Sequence, residues 1–164
     1  MTPDGSGPPG LRWLNTAAAA SARSRLLTVC SCTHWADELV AGRPYRDVDD
    51  LLARARAVEA GLSEAHVREA LAGHRRIGER AGQGEQGGVD PADQALHEEL
   101  AAGNRAYEAR FGHLYLVLAA GRTGRELADL LRDRLTHDPA TEARVVREEL
   151  GRINALRLRA LADG

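Results

Sequence analysis

From Asn15 onward the apolar residues recur every three or four positions, and no pair of segments carries the signals of strand pairing. That spacing gathers side chains on one stripe of an α-helix and offers a strand no consistent face. The chain is therefore expected to be all-α. One helix is expected from Asn15 or Thr16 to about Val29, and a second from about Cys32 to Ala41, stopped by Gly42, Arg43 and Pro44. "DVDDLLARARAVEAG" gives a third, opened by acids and closed by Gly61, and Ser63 caps a fourth, "EAHVREALAG". A glycine-rich loop fills 79–89. Asp90 and Pro91 then begin a helix with the cap and first-turn proline in the favoured order, running on through "ADQALHEELAAGNRAYEARFG". "HLYLVLA" is a short apolar run that periodicity leaves open. "TGRELADLLRDRL" aligns Leu127, Leu130, Leu131 and Leu135, and a last helix is expected from Pro139 to about Leu161.

The 164 residues are enough for one compact helical bundle over 11–164, behind a Pro/Gly/Ser tail at 1–10 too polar to bury itself. With 43% apolar residues but only 4% aromatics, its core must be built mostly of Leu, Ala and Val. All 22 basic residues are arginine, and against 24 acids they leave a net charge of −2, which argues against an extended nucleic-acid surface. No apolar run approaches membrane-spanning length and no basic leader opens the chain, so a cytoplasmic protein without a membrane partner is expected. Cys30 and Cys32 are too few for a disulfide framework. Their "CSCTHWA" setting hints at a metal site. No second ligand pair follows at zinc spacing, however, and buried structural thiols are the better reading.

Two polar residues sit where apolar ones belong. At about 100° per residue, Val146, Leu150, Ile153 and Leu161 fall within about 80° of one another, and Arg157 lies at the centre of that stripe. Arg144, Arg152 and Arg159 occupy the opposite side. An arginine on a core-facing stripe cannot shed its charge, so it needs an ion-pair partner (Glu142 or Glu149), an escape to solvent near the helix end, or a ligand. His74 likewise extends the Val67, Ala70, Leu71 face by one turn. The helix C-terminus and Glu85 would favour its charged form while Arg75 and Arg76 oppose it, a balance suited to acid–base catalysis. A structural core histidine is the plainer alternative. The remaining histidines show no ligand spacing, and no phosphate-binding loop, dinucleotide fingerprint, H-E-x-x-H or nucleophile elbow is present.

Taken in order, "LN" at Leu14 and Asn15, "CSCTHWADELVAGRPY", "HRRIGER", "GEQGGV", "GNRAYEARFG", "GRTGRELADLLRDRL" and "INALRLRAL" make a specific set. It resembles the OHCU decarboxylases, which act on 2-oxo-4-hydroxy-4-carboxy-5-ureidoimidazoline in urate breakdown. The resemblance implies an all-α, cofactor-free homodimer without a metal, converting OHCU to (S)-allantoin. It implies His74 and Glu85 as catalytic residues and Arg157 and Gln86 as substrate-binding. Arg75 and Gly82 would stand beside the substrate, as would backbone groups of His113, Leu114, Tyr115 and Leu116. Three positions depart from the family pattern: Arg75 replaces a proline, Gly82 a serine, and His137 an asparagine. A helical interaction module on the same fold, or decarboxylation of a related ureido or imidazoline acid, are the alternatives these departures raise.

Overall fold

The computed structural model describes residues 7–78 and 94–164. Among them are eight helices and no strand: α1 (Pro9–Thr16), α2 (Ala19–Val29), α3 (Thr33–Ala41), α4 (Val48–Ala60), α5 (Glu64–Ala72), α6 (Gln94–Phe111), α7 (Gly124–Arg134) and α8 (Pro139–Asp163). The all-α expectation holds. The chain divides, however, into two compact units, the first made of residues up to Gly73 together with 151–164, the second of 74–150.

In the first unit α3 packs on α2, α4 and α5, with Trp35 and Leu39 fully buried beside Leu26, Leu51 and Leu52. The expected first helix is in fact two. Ala17 and Ala18 turn extended between α1 and α2, and α1 already begins at Pro9, inside the stretch expected to be a tail. Arg43 explains the break, because its Nη1 donates to the carbonyls of Leu14 and Ala17, each at 2.8 Å, where α1 runs out of internal partners. Asn15 fixes the same corner by exchanging two 2.8 Å hydrogen bonds with the backbone of Tyr45. Gly10 lets α1 approach the end of α8, since a Cβ there would stand 1.9 Å from the Leu161 carbonyl oxygen. The cap expected at Ser63 is formed, and Asp47, among the acids that open α4, caps that helix likewise, each side chain accepting from the backbone N–H three residues on.

The second unit is centred on α6 against α7, with Leu100, Tyr107, Leu127 and Leu131 joined by Ile77, Tyr115 and Val117. Gly112, at φ +77°, ends α6 in the left-handed conformation that a side chain would disfavour. The run after it, left open by periodicity, is neither helix nor strand but an irregular segment whose Tyr115, Leu116 and Val117 are buried. Asp90 and Pro91, the expected helix start, lie outside the described residues.

Candidate active site

His74 follows Gly73, the residue that closes α5, and its Nε2 is shielded from solvent. What holds this short stretch is α6. Ile77 is buried in the second unit's core, and Asn104 Nδ2 donates to its carbonyl at 2.8 Å. Arg76 grips Glu108 with two nitrogens, the longer contact 2.9 Å. Burial and the guanidinium pull the Glu108 carboxyl in opposite directions, and Arg76 wins, holding it below the usual range. One apolar anchor and one buried amide at Ile77, and one bidentate ion pair at Arg76, thus fix two positions within three residues of the imidazole. Arg75, in place of the family's proline, is exposed.

His113 to Leu116 also belong to the second unit. His113 Nδ1 lies 3.0 Å from the Leu114 carbonyl, with the ring edge-on to Tyr107 at 5.5 Å. Tyr115 is buried and donates its hydroxyl to the Leu127 carbonyl at 3.2 Å. The Leu116 carbonyl accepts from Arg134 Nη1. Around that arginine is a buried ionic network missing from the sequence reading. Arg134 and Glu142 are 4% and 0% exposed, and Arg134 Nε donates to Glu142 Oε1 at 2.8 Å. Tyr107 donates its hydroxyl to the same oxygen, and His137 Nδ1 lies 2.8 Å from Oε2. Burial alone would raise the Glu142 carboxyl, yet Arg134, Tyr107 and His137 outweigh it and hold it low.

In the first unit, the expected stripe of α8 is buried at Ile153 and Leu161, and Arg157 is half-buried with Nη1 donating to the Val29 carbonyl at 3.0 Å. Of the two glutamates weighed as its partners, Glu142 serves the network just described and Glu149 accepts from the Leu118 amide at 2.7 Å. One turn before Arg157, fully buried Asn154 donates to Glu59 Oε1 at 2.9 Å. Cys30 is buried in the same neighbourhood, and desolvation pushes its thiol up to about 11. Both cysteines are free, and no cluster of three potential metal ligands exists among the described residues. Glu85, Gln86 and Gly82 lie outside the described residues.

Glu59 yields a pH test. Burial raises its carboxyl, and the hydrogen bond from Asn154 and the charge of Arg56 only partly offset that. A carboxyl raised in the folded state stabilises below its unfolded value, about 4.3, and loses that contribution as pH rises through the folded value. Glu59→Gln keeps an acceptor for Asn154 and removes the charge. It should therefore melt above wild type at pH 7, where each kcal/mol reads as about 2–4 °C, and level with it near pH 4. Equal gaps at both pH values in a pair of thermal melts would contradict the assignment.

Helix α8 carries Arg157, Asn154 and Glu142; its pattern singles out the first, offers Glu142 only as a partner for it, and gives no sign of Asn154. Arg134 had a readable signal, since it lies seven residues after Leu127 and so on the apolar face of α7, about 20° from it.

A family model for OHCU decarboxylase matches residues 15–159. The 2-oxo-4-hydroxy-4-carboxy-5-ureidoimidazoline decarboxylase of Haloferax volcanii is 29% identical over 131 residues, covering 75% of this chain and 77% of its own. Among solved structures, an OHCU decarboxylase crystallised in the presence of (S)-allantoin superposes with a TM-score of 0.77 at 23% identity, covering 84% of this chain and 96% of that one. An (S)-allantoin synthase gives 0.72 at 20% identity over 93% of this chain, which spans about half of that protein, 54%. These two likenesses bear on the fold. The family model covers nearly the whole chain, from Asn15 through Arg157 to Arg159, and on that match the protein belongs to the OHCU decarboxylase family.

Proposed function

We propose that this carboxy-lyase converts OHCU to (S)-allantoin with His74 moving protons, Glu85 as its catalytic partner, and Arg157 and Gln86 binding the substrate. The observation that carries the reading is the family match over 15–159, which spans every residue named here. In OHCU the C4–carboxylate bond breaks, carbon dioxide leaves, and the electron pair moves through C5 onto the imine nitrogen. That nitrogen takes up a proton from solvent, and the C4 hydroxyl gives up its own to become a carbonyl while C5 gains one. The substrate supplies its own electron sink, so the chain's task is to orient the carboxylate perpendicular to the imine plane and to protonate one face of C5.

His74 suits the proton transfers, because an imidazole is both acid and base near neutral pH. Glu85 would orient it or accept a substrate N–H, and Gln86 would match a ring or ureido amide. Arg157 gains little by clamping a carboxylate whose charge departs, because that favours the ground state. Its better target is a carbonyl or ureido oxygen where negative charge grows. Backbone groups of 113–116 complete the contacts. The resemblance further supports a homodimer, and the cysteine usage a cytoplasmic setting.

The test is direct. With OHCU generated from urate by urate oxidase and hydroxyisourate hydrolase, the protein should accelerate OHCU loss and yield optically active allantoin by circular dichroism. Decay at the spontaneous rate to a racemate in its presence would overturn the reading.

A further inference from the structure

The segment after α6 presents a problem of hydrogen bonding. Backbone N–H and C=O groups that are buried need partners, and an extended stretch normally finds them in a neighbouring strand. The described residues contain no strand. Around Leu116 and Leu118 the partners are charged side chains instead. Arg134 Nη1 donates to the Leu116 carbonyl, Glu149 Oε2 accepts from the Leu118 amide at 2.7 Å, and Arg122 Nε donates to the Leu118 carbonyl at 3.1 Å.

Arg134 is the centre of this arrangement. Its three nitrogens reach Glu142, Tyr107 and Leu116 together, and its plane lies 5.0 Å from the Tyr115 ring and 5.7 Å from that of Tyr107. Only a planar fork serves acceptors in several directions at once while packed between rings. Stability gives a weak reason for such a pair, because buried ion pairs are often replaced by apolar residues at no loss. Holding a backbone carbonyl in place is a stronger one.

We propose that Arg134 and Glu142 are positioning residues for the reaction, fixing the Leu116 carbonyl and thereby the backbone of 113–116 that meets the substrate. This rests on the reading of 113–116 as substrate-facing given above. Tyr107 and His137 brace Glu142, and Glu149 anchors the segment's other end.

Two variants test it. The triple replacement Tyr107→Phe, Arg134→Met, Glu142→Leu removes the polar network together, so that no buried charge is left alone. Arg134→Lys keeps a cation for Glu142 and gives up the fork. For both, the expected result is a melting temperature close to wild type with kcat/KM lowered about a hundred-fold in the triple variant, the scale of a reacting group misplaced by about 1 Å. KM should rise and kcat should fall, a change that a purely structural role would not produce in the folded fraction. Folded variants with wild-type kcat and KM overturn the proposal, and if the triple variant fails to fold, Arg134→Lys alone decides. Wild-type protein that leaves OHCU decay unaccelerated overturns the parent reading and this one with it. An active wild type with unaffected variants overturns only the positioning role.

Discussion

Arg134→Met on its own is expected to destabilise the protein by about 3–5 kcal/mol, the usual cost of leaving one partner of a buried ion pair without the other. Glu142 is fully buried, and among its three polar neighbours only Arg134 carries a permanent charge. Tyr107 and His137 offer it hydrogen bonds. The loss has a pH signature. In wild type the carboxyl is held low, so its contribution is present above the unfolded value of about 4.3 and disappears as pH falls through the folded value. Without Arg134, burial pushes the carboxyl up instead, and ionisation becomes a burden that acid removes. Urea unfolding followed by circular dichroism should thus show a wide gap between variant and wild type at pH 7 that narrows towards pH 4. A gap below 1 kcal/mol at neutral pH would mean that the pair is not buried as described.

His74→Ala should lower kcat by about 10²–10⁴, the range a positioned general acid–base supplies. Stability should change little, because the residue lies just beyond α5 and its stretch is held through Ile77, Asn104 and Arg76. That separation makes the experiment clean: melting curves that superimpose, with turnover that does not. The readout is initial OHCU loss in the coupled assay, with the optical activity of the product followed alongside. Turnover within a few-fold of wild type would remove His74 from the chemistry and return it to the class of packed core histidines.

Much of the fold was legible because helical spacing and capping residues are local. Asp47, Ser63 and Thr123 each sit where a helix needs an acceptor for its first amides, and each is used that way. The break between α1 and α2 was not legible, because four successive alanines favour helix and the residue that ends α1, Arg43, lies 26 positions after Ala17. The division into two units was equally hidden, since α8 contributes to both in one unbroken pattern.

Arg157 and His74 stand out in the sequence because a lone polar residue on an apolar stripe is visible in one helix at a time. The network of Arg134 and Glu142 draws on α6, α7, α8 and the segment between, and only three-dimensional packing brings those together. Arg134 alone carries a signal within one helix, its place on the apolar face of α7. In sequence Glu142 reads as a partner for Arg157, whereas in the fold it pairs with Arg134.

The stretch from His113 to Ala119 has a consequence for how such a protein changes over time. A strand locked in a sheet moves only by slipping a whole register, which turns every side chain to the wrong face. Here individual arginines and glutamates set the path of the main chain, so a single replacement at 122, 134 or 149 redraws it locally. Selection can adjust the course of this segment in small steps while the surrounding helices stay as they are.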